Sequence, residues 1–372
     1  MQAEEIDHEI ERFDSKAPIE AAWTPPSSWY TDADFLVRER ETVFRRSWLY
    51  AGRVDELTEP GSHLAVDVLG DGYFVVRGED GELRGFHNVC RHHAARLVEG
   101  HGCKPELVCP YHGWTYSLDG ALTKAPRSAG LADFERESFG LVPIEVETWG
   151  PWVFLHAGEP AAGVGEKLAD LTRHLDPASL TGLRRVASKS YTMRCNWKVF
   201  VDNYLDGGYH IAHLHHGLAS QLDLSTYETE LLSRSNVQTC RAHAVPGAEV
   251  GKDYAARMGA GAIHAWIYPN LMLNRYGPAL DTNLVVPLAH DRCEVLFDFW
   301  FEGEREDAEA FVRESLEAAD ETQQEDVWIS ERVQRGLASV AYDSGRYAPR
   351  VEHGMHHFHR LLAADLRASL PD

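Results

Sequence analysis

The chain has 372 residues, enough for two domains, and its 58 acidic against 36 basic residues give it a net charge of −22. Such an acidic chain is a poor partner for nucleic acid or anionic lipid. No apolar run reaches the roughly 18 residues of a membrane span, so no membrane association is expected. The first residues, "MQAEEIDHEIERFDSK", resemble neither a signal peptide nor a transit peptide, which predicts a cytoplasmic protein.

Taken along the chain, the patterns predict an α+β protein. Residues 1–45 are expected to form an N-terminal arm that packs on the larger C-terminal domain, with one helix in "DADFLVRERETVFRRSW". Residues 46–157 alternate short runs such as "HLAVDVL" with "GDG" and "EDGE" turns, which predicts a small all-β domain. Residues 158–372 mix helical stretches near 196–216 and 306–338 with strand-like runs, which predicts a larger domain with an antiparallel sheet flanked by helices.

Two Cys/His pairs lie at loop positions of the β domain, Cys90 with His92 in "CRHHAARL" and Cys109 with His112 in "CPYHGWTYSLDG". Four such ligands could bind one tetrahedral zinc ion. The mixed pairs instead favour a [2Fe-2S] centre, because the two histidines can gather on one iron and the two cysteines on the other. His93 is a bystander by spacing.

A second metal site is predicted in "NWKVFVDNYLDGGYHIAHLHHGL". His210 and His215 are five residues apart, which is awkward on a straight helix, whereas His213 lies at an easier spacing from His210. The pair Gly207–Gly208 would be costly inside a helix, and such irregularity often marks a site. The sequence pattern leaves the choice between His213 and His215 open.

The helix of residues 306–338 supplies a carboxylate for the same site. Asp326 lies in the middle of an inward-facing stripe, where a carboxylate is costly unless it is paired or bound to a metal. Its neighbour Glu325 is expected to point elsewhere, into solvent or toward a structural contact. Two histidines and one carboxylate are typical ligands of non-haem Fe(II).

The stretch "CRHHA…CPYHGWTYSLDG" resembles the Rieske domain of ring-hydroxylating and related oxygenases. The stretches "NWKVFVDNYLDGGYH", "YPNLMLNRYGPALDTNLVVPL", "QEDVWISERVQRGL" and "YDSGRYA" resemble the choline monooxygenases, a family of ferredoxin-dependent enzymes of glycine betaine synthesis. The resemblance runs from about Trp48 to the C-terminus. It implies a [2Fe-2S] cluster on the two Cys/His pairs, a mononuclear Fe(II) on His210, His215 and Asp326, and O2 as co-substrate.

The resemblance also implies an electron donor, a ferredoxin or a flavin/iron–sulfur reductase, and a head-to-tail homotrimer in which electrons cross between subunits. Many Rieske oxygenases carry a bridging carboxylate three residues before the first iron histidine, and that position here is Gly207. We expect Asp206 to replace it, with Asn203 on the same polar stripe and Asp202 as the alternative. Plant members of the family are made as chloroplast precursors, so a processed plant form would reside in the plastid stroma.

The resemblance predicts hydroxylation of choline to betaine aldehyde, or oxidation of a related quaternary ammonium compound. Recognition of such a cation should rely on aromatic faces and a carboxylate. N-demethylation of a quaternary amine and aromatic ring hydroxylation are alternative reactions. Iron content separates these reactions from other protein classes: an oxygenase would hold about three irons per chain, a pure electron carrier about two, and a zinc-binding module none. The candidate substrate residues are Trp266, Tyr268, Tyr276 and Trp300, from an aromatic set that also contains Tyr254, Phe299 and Trp328.

Overall fold

The computed structural model describes residues 3–243, 259–303 and 308–368, which form two compact units. One unit is Phe44–Lys167, and the other combines Met1–Val43 with Leu168–Asp372. Each contains an antiparallel sheet of seven strands within the described ranges, so the predicted α+β class with a small β domain is confirmed. No helix in these ranges is long and apolar enough to cross a membrane.

The N-terminal segment is helical over more of its length than the sequence pattern predicts. It forms α1 (Ala3–Glu11), α2 (Ser28–Thr31) and α3 (Ala33–Thr42), of which only α3 was expected. Asp32 begins α3 by accepting a hydrogen bond from the backbone N–H of Asp34, as an N-cap residue does. The apolar face of the segment is buried, which explains why it belongs to the larger unit.

The smaller unit is built from ten short strands, one short α-helix and three 3-10 turns. Its main sheet has the order β1-β10-β9-β4-β3-β2-β5, and β6-β7-β8 form a separate three-stranded sheet. The elements are β1 (Leu49–Arg53), β2 (Ser62–Val68), β3 (Asp71–Arg77), β4 (Leu83–His87), β5 (His101–Cys103), β6 (Leu107–Val108), β7 (Thr115–Tyr116), β8 (Leu122–Lys124), β9 (Pro143–Trp149), β10 (Trp152–His156) and α4 (Val164–Lys167).

The larger unit is organised around a long antiparallel sheet of order β11-β17-β16-β15-β14-β13-β12. Its strands are β11 (Leu183–Met193), β12 (Leu222–Leu231), β13 (Ser235–Ala242), β14 (Gly261–Ile267), β15 (Leu271–Tyr276), β16 (Ala279–Ala289) and β17 (Arg292–Glu302). The described helices that follow β11 are α5 (Trp197–Tyr204), α6 (Ile211–Leu214), α7 (His216–Ala219), α8 (Ala308–Leu337) and α9 (His353–Leu366).

The stretch expected as one helix near 196–216 is instead three short helices. Gly207 and Gly208 both have positive φ angles, +71° and +74°, which end the helical path after α5. A Cβ on Gly207 would lie 2.2 Å from the carbonyl oxygen of Val351, and one on Gly208 would lie 2.6 Å from the ring of Tyr227. The glycine pair is therefore required by both the backbone turn and the close packing around it.

A buried ion pair fixes the start of α5. Lys198 Nζ lies 2.6 Å from Glu39 Oε1 of α3, and both side chains are fully buried. The indole N–H of Trp197 donates to the other oxygen of Glu39 at 2.7 Å. The N-terminal segment thereby holds the helix that leads into the predicted iron site.

Candidate metal centres and substrate cavity

The cysteines of the predicted [2Fe-2S] site lie in the apolar core of the smaller unit, and both are almost fully buried. Cys90 begins a tight loop closed by a hydrogen bond from the N–H of Ala94 to its carbonyl, at 2.9 Å. Cys109 begins a second loop closed by the N–H of Gly113, whose φ of +72° suits glycine. Two tight loops thus present one thiol each from neighbouring segments.

The histidines of the two pairs lie at the outer side of these loops. The rings of His92 and His112 are 4.8 Å apart between centroids and nearly perpendicular. His92 also stacks on the ring of Trp114 at 4.6 Å, which makes Trp114 a packing residue for this loop. The Nδ1 atom of His92 is buried without a hydrogen-bond partner, which fits a metal ligand because such a buried polar atom is otherwise costly.

The thiol of Cys90 has a polar neighbour. Tyr116 places its hydroxyl 3.3 Å from Cys90 Sγ and accepts a hydrogen bond from the N–H of Arg91 at 2.9 Å. Burial is the main cause that raises the pKa of Tyr116, with the thiol of Cys90 as the next cause, so the hydroxyl keeps its proton and can donate toward sulfur. The donor set and its surroundings therefore fit a [2Fe-2S] cluster.

The structure brings His210, His215 and Asp326 together, with one possible ligand atom from each lying within 4.8 Å of the other two. His215 Nε2 is 3.1 Å from Asp326 Oδ1, and His210 Nε2 is 4.0 Å from the same oxygen. The break between α5, α6 and α7 allows this, because a straight helix would point the two histidines in different directions. His213, the alternative by spacing, is exposed.

Each of these three side chains is held by a polar neighbour. Asp206 Oδ2 accepts from His210 Nδ1 at 2.7 Å, and Glu325 Oε2 accepts from His215 Nδ1 at 2.6 Å. The amide of Asn203 donates to Asp326 Oδ1 at 2.7 Å. With both Nδ1 atoms occupied by carboxylates, both Nε2 atoms remain to bind a metal, the arrangement that second-sphere carboxylates produce in many metal sites.

The interpretation of Glu325 as a solvated or structural neighbour was wrong. Its carboxylate contacts Nδ1 of His215, while the carboxylate of Asp326 contacts Nε2 of the same ring. The imidazole of His215 therefore lies between the two acidic side chains. Burial acts to lower the pKa of His215, but hydrogen bonds and charge from Asp326 and Glu325 outweigh it, and the pKa is raised. The two carboxylates therefore favour positive charge at this position.

The three candidate ligands open onto a cavity of about 120 Å³. Its wall includes the aromatic rings of Tyr204, Tyr227, Tyr276 and Phe297. The acidic side chains among the described lining residues are those of Asp281, Glu321, Glu325 and Asp326. A small cavity with aromatic faces and several carboxylates is suited to a small organic cation.

Of the four aromatic residues predicted to contact the substrate, only Tyr276 lines this cavity. Trp266 is fully buried against the rings of Phe358 and Tyr268. Its side chain therefore lies in the apolar core and not at the cavity. Tyr268 lies beneath the guanidinium of Arg234, and Trp300 is buried beside Arg185. Trp328 is half exposed on α8, and Tyr254 lies outside the described residues.

The two candidate bridging carboxylates have different surroundings. Asp202 accepts from the hydroxyl of Tyr30 at 2.7 Å and lies 2.8 Å from His359 Nε2, within a buried network. Asp206 contacts His210 directly, and both Asp202 and Asp206 line a second cavity of about 250 Å³. Of these two carboxylates, only Asp206 thus contacts a candidate iron ligand.

Comparison with known proteins shows the family of this chain. Residues 47–135 match the family described as Rieske [2Fe-2S] domain, and residues 180–368 match the ring hydroxylating alpha subunit (catalytic domain). The chain belongs to the ring-hydroxylating α subunits of the Rieske oxygenases. It is 46% identical over 370 residues to the chloroplastic choline monooxygenase of Arabidopsis thaliana, covering 96% of this chain and 86% of that protein.

Solved Rieske oxygenases have the same fold. The quaternary ammonium Rieske monooxygenase CntA in complex with L-carnitine superimposes with a TM-score of 0.80 and 28% identity, covering 94% of this chain and 97% of that one. Naphthalene 1,2-dioxygenase from Rhodococcus, bound to indole, has a TM-score of 0.81 at 20% identity over both full chains, which shows the fold alone. Membership of this Rieske oxygenase family means a [2Fe-2S] cluster, a mononuclear iron, O2 as co-substrate and electrons from a reductase or ferredoxin.

Sequence reasoning missed several residues of the cavity. Tyr204 and Tyr227 carry no local signal, because one lies in a helix and the other in a strand where tyrosine commonly packs in the core. Asn274 and Asn283 do carry a weak signal: each is a polar residue within an apolar strand. A buried amide is costly without a partner, so such positions deserve inspection even before a structure is known.

Proposed function

We propose that this chain is a Rieske non-haem iron monooxygenase that hydroxylates choline at its alcohol carbon to give betaine aldehyde. The observation that supports this most strongly is the acidic, aromatic-walled cavity in front of His210, His215 and Asp326. The extended identity to a choline monooxygenase supports the same substrate. A permanently charged trimethylammonium group cannot donate hydrogen bonds, so carboxylates and ring faces are the groups able to recognise it.

In this proposal Cys90, His92, Cys109 and His112 hold the [2Fe-2S] cluster, and His210, His215 and Asp326 hold the Fe(II). Bound together, these groups supply one-electron transfer and the oxidation of a C–H bond by O2. Asp206 and Glu325 keep the Nδ1 protons of the two histidines in place, and Asn203 orients Asp326. The aromatic wall limits access of water to the substrate.

We further propose that the protein works as a homotrimer, with an external ferredoxin or reductase as its electron donor. Asp206 is the candidate bridge, facing His92 or His112 of the partner subunit and His210 of its own chain. The direct contact of Asp206 with His210 supports this assignment over Asp202, which accepts a hydrogen bond from Tyr30 and lies beside His359. A cytoplasmic location, or the plastid stroma for a processed plant form, stays a prediction.

N-demethylation of a quaternary amine is the second candidate function, because the likeness to CntA, solved with L-carnitine, supports a quaternary ammonium substrate of either reaction. The same cavity could hold a quaternary amine with a methyl carbon, rather than the alcohol carbon, nearest the iron. Aromatic ring hydroxylation receives less support, because the likeness to naphthalene 1,2-dioxygenase concerns the fold only.

A single-turnover experiment tests the proposal. Iron-loaded protein is reduced chemically without oxygen, mixed with choline and then exposed to O2, and products are identified by mass spectrometry. Betaine aldehyde approaching one equivalent per active site is the expected result. Formaldehyde with a demethylated amine would move the oxidised carbon to a methyl group, and unchanged choline with an intact [2Fe-2S] spectrum would exclude choline as the substrate.

A further inference from the structure

A row of buried polar side chains crosses the face of the larger sheet that forms the cavity wall. His264 on β14 lies opposite Asn274 on β15, which lies opposite Asp281 on β16. Asn283, two residues beyond Asp281, points to the same side of the strand. All four are more than nine-tenths buried, and all line the cavity. Buried polar groups are costly, so this concentration calls for a functional explanation.

Asn274 joins the row into one unit. Its Oδ1 accepts from the hydroxyl of Tyr204 at 2.8 Å and from His264 Nδ1 at 2.9 Å. Its Nδ2 donates to Asp281 Oδ1 at 2.7 Å, and Asn283 Nδ2 donates to the same oxygen at 2.7 Å. A single asparagine thus fixes the orientation of both an imidazole and a carboxylate at the cavity wall.

His264 is arranged as a hydrogen-bond acceptor. Because Asn274 Oδ1 accepts from Nδ1, that nitrogen carries the proton and Nε2 is left with a lone pair. Burial lowers the pKa of His264 to about 4, so the ring is neutral at physiological pH. Nε2 is buried and has no hydrogen-bond partner. Such an atom is satisfied when a ligand hydroxyl donates to it.

We propose that this unit recognises both ends of the substrate: His264 Nε2 accepts from the alcohol group, and the Asp281 carboxylate faces the trimethylammonium group. The inference rests on the proposed function and adds to it the residues that select a hydroxylated cation. His264 lines the same cavity as His210, His215 and Asp326, so an alcohol group bound to its Nε2 lies in the cavity onto which the candidate iron ligands open. A substrate carrying its own carboxylate is disfavoured near Asp281, because like charges repel in a cavity shielded from water.

Three small ligands separate the two contacts. Choline has both the hydroxyl and the charge, ethyltrimethylammonium lacks only the hydroxyl, and 3,3-dimethyl-1-butanol lacks only the charge. Dissociation constants are measured by calorimetry on iron-loaded protein without O2. We expect wild-type protein to prefer choline over each of the other two by about tenfold or more, because a site built for a hydroxyl or a charge rejects a ligand lacking it.

Two variants should each lose a different preference, one for the hydroxyl group and the other for the positive charge. His264→Phe is expected to bind choline and ethyltrimethylammonium within about threefold of each other while still rejecting the neutral alcohol. Asp281→Asn is expected to lower the preference for choline over the neutral alcohol by about threefold or more, while still preferring the hydroxylated cation over ethyltrimethylammonium. A merely structural role would weaken all three ligands together in either variant.

Asp298→Asn is the matched control. Asp298 lies on the neighbouring strand, but it faces the opposite side of the sheet and contacts Ser188. It should leave both preferences unchanged. If Asp281→Asn does not show the wild-type [2Fe-2S] absorption spectrum, Asn283→Ser replaces it. This variant removes one of the two amides that donate to the Asp281 carboxylate. Its preference for choline over the neutral alcohol should fall about threefold or more.

The proposal is overturned if either variant keeps both wild-type preferences, or if both variants weaken the three ligands equally. Failure of the proposed function gives a different result, since wild-type protein would then neither bind nor oxidise choline. A wild-type protein that oxidises choline but whose variants keep both preferences would refute only the assignment of His264 and Asp281.

Discussion

Glu325→Gln tests whether the acidic neighbour of Asp326 on α8 supports iron binding. The carboxylate accepts from His215 Nδ1 at 2.6 Å, a short charge-assisted bond, and such bonds are about twice as strong as neutral ones. Glutamine offers only a neutral acceptor, so the imidazole becomes a less basic ligand. Loss of a second-sphere partner typically weakens metal binding about 10- to 100-fold. Because the Glu325 side chain is one-third exposed, we expect the lower limit, about tenfold or ~1.4 kcal/mol.

The assay is an anaerobic Fe(II) titration of metal-depleted protein against a chromophoric chelator. Glu331→Gln is the control, because Glu331 lies on the same helix but pairs with Arg194 on the surface, and it should bind iron like wild type. An affinity for Glu325→Gln within twofold of wild type would refute the idea that this carboxylate tunes His215. A loss of equal size in both variants would instead point to a general effect of charge.

Four further outcomes are expected. Asp206→Asn should bind choline normally but lose most of its turnover with an external electron donor, even after iron is restored, as stopped-flow reduction and steady-state assays would show; normal turnover would exclude Asp206 as the bridge. Gly207→Ala should lose iron at this site, because its methyl group would collide with a backbone carbonyl, and metal analysis beside Gly217→Ala, which has open space, checks this. Glu39→Gln should destabilise the protein by about 3 kcal/mol in urea denaturation by leaving the Lys198 ammonium buried, and a change below 1 kcal/mol would contradict that. Since the folded-state pKa of His264 is lowered to about 4, stability should fall as pH drops from about 6.5 toward 4, and wild type should lose about 2 kcal/mol more than His264→Phe between pH 7 and pH 5; equal losses would show that His264 is not buried as a neutral ring.

The residues of the two candidate metal centres carry local signals in the sequence. Cys90 with His92 and Cys109 with His112 are close pairs, and Asp326 stands out as an acid in an inward-facing helical stripe. The choice of His215 over His213 depended on family resemblance, since periodicity assumes an unbroken helix. The positive φ angles of Gly207 and Gly208 break the helix, so helical periodicity does not hold across this segment. The sequence alone did not reveal the break, because a glycine pair can lie either within a helix or at its end.

The substrate wall was poorly predicted for a different reason. Aromatic residues on strands belong either to the core or to a pocket, and alternation gives the side of the strand but not what covers that side. Trp266 and Tyr268 therefore looked suitable but are packed in the core, whereas Tyr204 and Tyr227 reach the cavity from other elements. Contact between residues as distant as Glu325 and His215 is likewise a property of the fold, which spacing along one helix cannot reveal.

The charges around the iron site explain why a cation suits this cavity. Asp206, Glu325 and Asp326 contribute three formal negative charges next to the two histidines, and a bound Fe(II) would contribute two positive charges, leaving −1 (2 − 3). Asp281 adds another negative charge to the cavity wall. A quaternary ammonium group would offset this excess, whereas a zwitterion would bring a carboxylate into it. The carboxylates that orient the metal ligands therefore also bias the site toward positively charged substrates, which links iron binding and substrate choice through the same side chains.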